Sequence, residues 1–211
     1  MRFEDFKNAV PKLKKMPLPG EQAQLKLAPM MRIEELKSID IARRNPNEAA
    51  VMAVFYPDAG ETNFVLILRK TYKGVHYNQV GFPGGRVEAE DQDLSHTALR
   101  ETEEEVGIPR HQIQVLRALT RLYIPPSNFW VYPFLGIMEE KPALVPQETE
   151  VEEILEVRLA DFLSDATLVE QRLTTSYATN INVPAYKLNE QIVWGATGMM
   201  LSEIREMLRK V

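Results

Sequence analysis

The stretch Arg100-Glu-Thr-Glu-Glu-Glu-Val-Gly107 concentrates most of the chemistry that the sequence offers. With Leu94 at the origin of a helical wheel and about 100° per residue, Leu94, Ala98, Thr102, Val106 and Leu99 form an apolar stripe. On the same wheel Glu101 and Glu105 fall within about 20° of its edge, Glu104 lies beside them, and Glu103 points away. An acid run is usually a solvated face. Here, however, like charges stand at i, i+4, and carboxylates crowd a helix C-terminus against its dipole. Together these cost about 1–2 kcal/mol, which a domain can tolerate without function but gains nothing from. Hard divalent cations take oxygen ligands of this kind and commonly bridge them to phosphates. Gly84-Gly85 stands ahead of the acids, and glycine lets a backbone approach a ligand closely.

These residues need a frame to hold them. EAAVMAVFYP (Glu48–Pro57) and NFVLILR (Asn63–Arg69) are short apolar runs separated by Asp58-Ala59-Gly60, which predicts a β-hairpin. The acids sit on a helix predicted from about Asp91 to Val106, with Gly107 and Pro109 as its stop. Further strands are predicted at Ile113–Leu122, Trp130–Met138 and Ile154–Leu159, with a second hairpin near Val183–Val193. Met200, Ile204, Met207 and Leu208 put a core stripe on a final helix.

Residues 1–45 read as a separate N-terminal extension and 46–211 as the main domain, divided at the Asn45-Pro-Asn47 turn. In the extension Phe3, Phe6, Val10 and Leu13 recur at helical spacing, with Pro11 expected to limit or kink the helix. A second short helix is expected from Arg32 to Ile39. Strands interleaved with helices imply an α/β or α+β layered domain.

The segment Gly85–Ile108 resembles the Nudix box, G-x5-E-x7-R-E-U-x-E-E-x-G-U. Arg100, Glu101, Glu104, Glu105, Gly107 and Ile108 match its second half, with Thr102 in an apolar position. The first half departs: Asp91 stands where the box has Glu, one residue further from Arg100 than the pattern allows. A lengthened box with Asp is similar to that of the coenzyme A pyrophosphatase-like branch. So is VLILRKTYKGVHYNQVGFPGG (Val65–Gly85), in which Arg69, Gln79, Val80, Phe82, Pro83, Gly84 and Gly85 agree with the branch signature while Gly74 and Asn78 depart from it.

This resemblance implies an α/β Nudix fold, a mixed β-sheet sandwiched between helices (α/β/α), with the N-terminal helical extension outside it. It further implies Mg²⁺, with Mn²⁺ as a possible substitute, held by Glu101 and Glu105, by Glu104 directly or through water, and by the Gly85 carbonyl. Arg100 would orient the carboxylates, and an acid of QETEVEE (Glu148, Glu150, Glu152 or Glu153, first choice Glu150) would complete the site as general base or further ligand. Arg69, Gln79, Gly84, Gly85 and Arg86 are the expected substrate contacts, with Lys70, Lys73 and His76 nearby. The implied reaction is hydrolysis of the diphosphate of coenzyme A or a derivative to 3′,5′-ADP and 4′-phosphopantetheine. The rivals are a Nudix hydrolase for another nucleoside diphosphate derivative such as ADP-ribose, and a Nudix-fold regulator without hydrolysis.

Composition narrows the alternatives. The chain has 211 residues, 25 Lys and Arg against 30 Asp and Glu, and no cysteine. That excludes disulfides, thiolate metal sites and a Cys nucleophile, and argues against nucleic acid as partner. No apolar run is long enough for a membrane span and the N-terminus lacks a signal-peptide pattern, so a cytoplasmic protein is expected, with a homodimer as a possible assembly. The acid surplus is local: Glu88–Glu105 holds eight acids and one base, and Glu148–Glu156 five acids and none. His76, His96 and His111 are scattered; Trp130 and Trp194 read as core or cleft wall, Tyr123–Phe129 as a rigid loop, and Lys12, Lys14 and Lys15 as solvent-facing.

Overall fold

The structure, a computed structural model, describes residues 1–70, 79–173 and 180–211. Gly74, Lys73, His76 and Asn78 lie outside the described residues.

The long hairpin is β1 (Asn47–Asp58) and β2 (Glu61–Arg69), paired from Phe55↔Phe64 to Asp58↔Glu61. Beside it run β3 (Val80–Gly81), β4 (Gly84–Arg86), β5 (Gln114–Ala118), β6 (Leu122–Ile124), β7 (Phe129–Ile137) and β8 (Val151–Arg158). They form one eight-stranded sheet in which β7 lies parallel to β1 and every other pairing is antiparallel. A mixed sheet of this kind needs a crossover between its parallel strands. That crossover carries α4 (Leu94–Val106), the helix with the acids.

Alternation along the central strand divides the interior. Ala50, Met52, Val54 and Tyr56 of β1 point to one face, where they pack with Ala98 and Val106 of α4 and with Ile108 and Ile113. Ala49, Ala53 and Phe55 point to the other face, toward α5 (Leu159–Leu163) and α6 (Gly195–Leu208). With a side-chain period of two, such a strand buries both faces and reads as a continuous apolar run. Helices thus cover both sides of the sheet, as the resemblance implied. β9 (Leu168–Leu173), β10 (Ile181–Leu188) and β11 (Gln191–Val193) form a separate three-stranded sheet that contains the second expected hairpin.

The N-terminal segment packs on the α6 side through α1 (Phe3–Lys15), α2 (Glu21–Leu25) and α3 (Met30–Ser38). Phe3, Phe6 and Leu13 are buried in the main core, and the Phe6 ring lies 4.8 Å from that of Phe55. Pro11 does not end α1. It sits on the exposed side of the helix, away from buried Phe3, Phe6 and Leu13. Glu203, fully buried on α6, accepts hydrogen bonds from Gly20 N–H, Gln24 Nε2, Thr120 N–H and Thr120 Oγ1. A buried carboxylate so surrounded by donors is well solvated by the protein, and it ties the segment to the domain.

Three boundaries differ from the sequence reading. α4 begins at Leu94 rather than Asp91, because Asp93 caps it by accepting the His96 N–H at 2.9 Å. The expected strand Ile113–Leu122 is broken between β5 and β6, where the pairing with β7 shifts register. β8 begins at Val151, three residues before the predicted start, because Val151 pairs with Arg69.

Candidate active site

The acids of α4 meet the Gly84-Gly85 strand across a cleft of about 230 Å³. It is lined by Arg69, Gly84, Gly85, Arg86, Glu88, Arg100, the carboxylates Glu101, Glu104 and Glu105, and Gln147 and Glu150. Register explains the approach of strand to helix. Gly85 pairs with Ala50, whose side chain packs on the α4 face, so a Cβ on Gly85 would point at the helix. It would stand 2.5 Å from the Glu101 carboxyl carbon, a distance that only the absence of a side chain permits. Gly84 has φ +152°, and a Cβ there would stand 2.4 Å from the Ala50 carbonyl oxygen.

Glu105 is the deepest of the acids, 1% exposed. Its Oε2 accepts the Gly84 N–H at 2.8 Å. Its Oε1 lies 2.8 Å from Arg69 Nη1, an ion pair without the alignment of a hydrogen bond, and so counts as a buried oxygen with no hydrogen-bond partner among the described residues. Burial pushes the Glu105 carboxyl up to about 7, against the opposing pull of Arg69 and of the Gly84 N–H; the nearby Glu101 and Glu150 charges add to the rise. Glu101 is raised as well, again first by burial.

Arg100 organises the opposite wall. Its Nε and Nη2 grip the two oxygens of Asp91, each at 3.0 Å, and Nη1 donates to Glu101 at 3.0 Å and to Glu104 at 3.1 Å. Nη2 also donates to the Arg86 carbonyl, which fixes the β4 strand to the helix. The planar fork is what allows one side chain to serve all these acceptors. Asp91 in turn accepts from Thr97 Oγ1 and from the Glu88 N–H, and the Arg100 guanidinium holds its carboxyl far below the usual range. The residue at which the box departs is therefore the buried partner of the arginine.

Those contacts also mean that Glu101 and Glu104 are drawn toward Arg100, and Glu105 toward Arg69. Among the described residues no three His, Asp or Glu side chains are grouped as a ready-made ion site.

The described sequence and fold agree with what known proteins show. The model of the NUDIX domain matches residues 46–176, more than half of the chain. The chain belongs to the Nudix family. It is 31% identical over 148 residues to an uncharacterized Nudix hydrolase, NudL, of Yersinia pestis, covering 69% of this chain and 72% of that one. It is 30% identical over 170 residues to Nudix hydrolase 15, mitochondrial, of Arabidopsis thaliana, covering 78% of this chain. The chain spans 59% of the length of that plant relative and 56% of a second, Nudix hydrolase 22, chloroplastic. Among solved structures, a Nudix hydrolase from M. smegmatis, RenU, aligns with TM-score 0.52 at 15% identity, over 79% of this chain and 88% of its own.

The Nudix cleft brings together most of the residues singled out from sequence: Arg69, Gly84, Gly85, Arg86, Arg100, Glu101, Glu104, Glu105 and Glu150. Gln79 approaches through its backbone, its carbonyl accepting the Arg69 N–H. Arg69 is more enclosed than expected of a substrate contact, since its Nη2 also donates to the Gly84 carbonyl at 2.6 Å. Lys70 is turned away, its Nζ bonded to the Glu148 carbonyl. Trp130 is half-buried with the Arg121 guanidinium 4.2 Å above its ring; of the expected loop Tyr123–Phe129 only residues 125–128 form the turn, because Tyr123 and Ile124 pair in β6 with Trp130 and Phe129 of β7. Three residues of the site escaped the sequence reading: Asp91 as the partner of Arg100, and Glu88 and Gln147 as lining of the cleft. Among the described residues no helix is long and apolar enough to cross a membrane.

Proposed function

We propose that the protein is a divalent-metal-dependent Nudix pyrophosphohydrolase acting on the diphosphate of coenzyme A or a coenzyme A derivative. The observation that carries the hydrolytic reading is the meeting of Glu101, Glu104 and the buried Glu105 with the Gly84-Gly85 strand across one cleft. An all-oxygen, partly buried donor set fits a hard cation such as Mg²⁺, with Mn²⁺ as a possible substitute. Glu101, Glu104, Glu105 and the Gly85 carbonyl are the residues that would hold it. When bound, such an ion neutralises diphosphate charge and makes water a better nucleophile.

The remaining steps belong to the chain. Arg100 keeps Glu101 and Glu104 in place, and Asp91 keeps Arg100 in place. Arg86 and Arg69 offer positive charge to the diphosphate at the Gly84-Gly85 strand, and Glu150 removes the proton of the attacking water. A pure binding role is disfavoured because it would not call for acidic groups buried at a cost to stability.

Coenzyme A is the first choice of substrate on the strength of the Val65–Gly85 run. The engagement of Arg69 with Gly84 and Glu105 leaves it less free for a 3′-phosphate, which supports ADP-ribose or another nucleoside diphosphate derivative as the second reading. Incubation with Mg²⁺ and coenzyme A, acyl-coenzyme A, ADP-ribose and dinucleoside polyphosphates, with products identified by mass, tests both. Release of 3′,5′-ADP is expected. Cleavage of ADP-ribose alone would overturn the first reading, and binding without turnover of any compound would overturn hydrolysis.

A further inference from the structure

The three-stranded sheet ends on β9, and among the described strands β9 pairs with β10 alone. That pairing runs unbroken from Leu168↔Tyr186 to Leu173↔Ile181. The other side of β9 is a sheet edge, a row of N–H and C=O groups that can template a further strand. Such edges are usually blunted by lysine, proline or a bulge. Leu168-Val-Glu-Gln-Arg-Leu173 has none of the three.

Side chains alternate along a strand, so Leu168, Glu170 and Arg172 share one face, and all three are exposed. A cleft of about 490 Å³ lies between Leu168 and Glu170 on one side and Ser202 and Arg205 of α6 on the other, so the helix does not seal the strand. The cations at that cleft are already engaged, Lys26 with Glu206, and Arg205 and Arg209 with Asp165. Among the described residues neither Glu170 nor Arg172 has a charged partner.

When two copies of one edge strand join antiparallel, a two-fold axis perpendicular to the sheet sets one residue opposite its own copy. Residues equally far on either side of the axis then face each other. An axis at Glu170 or Arg172 would oppose like charges, and one at Val169 would set Glu170 against Leu168. An axis at Gln171 sets Glu170 against Arg172 twice and Val169 against Leu173 twice, with the Gln171 amide against its own copy. Opposite charges and apolar pairs across strands stabilise a ladder, and like charges oppose it.

We propose that the β9 edge is a self-association surface, on which β9 pairs with β9 of a second copy about Gln171. The two three-stranded sheets become one of six strands. The occupant is a second copy because the charge and hydropathy of the strand match their own two-fold image, a symmetry that an unrelated strand would not require. A contact of six residues a side is small, which sets the expected dissociation constant at about 10–100 µM.

Sedimentation of the full chain from about 5 to 300 µM tests this, and the wild type should pass from monomer to dimer across that range. Glu170→Arg and Arg172→Glu each make both charge pairs repulsive, and each should weaken dimerisation at least about tenfold. Both side chains are exposed, so the fold should survive, which circular dichroism checks. Mixed in equal amounts, the two variants restore both charge pairs across a mixed dimer and should associate within about threefold of wild type. The double variant Glu170→Arg/Arg172→Glu should do the same. A wild type that stays monomeric at about 300 µM overturns the proposal. So does a dimer that neither reversal weakens, since it would lie on another surface. Two reversed variants that fail to associate on mixing overturn it as well.

Discussion

Glu105→Gln should abolish hydrolysis and, at the same time, remove a pH dependence from the stability of the metal-free protein. Burial raises the Glu105 carboxyl from 4.5 to about 7 in the folded state, whereas the unfolded chain keeps the ordinary value. The folded protein therefore binds the proton more tightly than the unfolded one. Stability from this group is fully present below about pH 4.5 and is lost as pH rises through about 7. At about 1.4 kcal/mol per pH unit the full loss is about 3 kcal/mol, of which about 2–3 kcal/mol falls between pH 5 and 8. That is a large share of the stability of an ordinary domain.

Urea unfolding in EDTA at pH 5 and pH 8, for wild type and variant, measures it. Glutamine imitates the protonated acid, so the variant should lose about 2 kcal/mol less between the two pH values than wild type does. Part of the fall remains in both proteins, because Glu101 is also raised by burial. Saturating Mg²⁺ at pH 8 should restore wild type by about 2–3 kcal/mol at about 100 times its dissociation constant, and leave the variant nearly unchanged. Equal losses in the two proteins would refute the argument that Glu105 is held in the fold at an energetic cost. An active Glu105→Gln protein would refute the site assignment itself.

The two neighbouring glycines should part company on substitution. In Gly85→Ala the atoms nearest the new Cβ are the end of the Glu101 side chain, so stability by urea unfolding should change by less than about 1 kcal/mol, while kcat/KM falls about 100-fold from displacing that carboxylate. In Gly84→Ala it meets the Ala50 carbonyl and the Val51 backbone at a positive φ, so a stability loss of about 2 kcal/mol or more is expected; equal stability in the two variants would contradict the register. Asp91→Ala strips Arg100 of its closest partner when that arginine is only 8% exposed, and should cost about 3 kcal/mol by the same method at neutral pH. Because the Asp91 carboxyl is held below its ordinary value, the contribution is present above about pH 4 and disappears only in stronger acid, so the difference between wild type and variant should shrink there. Arg100→Lys should keep the charge but lower kcat/KM by at least about tenfold, since an ammonium cannot grip Asp91 while serving Glu101, Glu104 and the Arg86 carbonyl.

What could be read from the sequence was whatever repeats along one element. The helical wheel placed Glu105 and Glu101 at the edge of the α4 core stripe, and the structure buries the first and half-buries the second while leaving Glu104 at the surface. The apolar runs gave the β1–β2 hairpin with its turn at the right residues. Arg100 was expected to orient carboxylates and does so through Nη1. What failed was information carried by contact between elements. Asp91 looked like the first residue of the helix because it lies in an Asp-Gln-Asp run. Only the cap at Asp93 turns it back to face Arg100, about two helical turns beyond the cap. Pro11 looked like a helix stop because the pattern does not say which side of α1 meets the sheet.

Gln147 shows the limit most clearly. Nothing in Val-Pro-Gln-Glu-Thr-Glu marks it among residues richer in charge, and its place at the cleft depends on two distant pairings. β8 must lie against β2 so that Val151 meets Arg69, and the preceding segment must run along the end of α4 so that the N–H groups of Val145 and Gln147 donate to the carbonyls of Val106 and Glu105. The first pairing brings the acidic turn beside the arginine that faces Glu105; the second sets its depth. A helix whose final carbonyls are capped by the same segment that lines the cleft cannot have either feature altered alone. Insertions between Val106 and Val151 should therefore lower kcat/KM through the placement of Glu150 even where the acids of α4 are untouched.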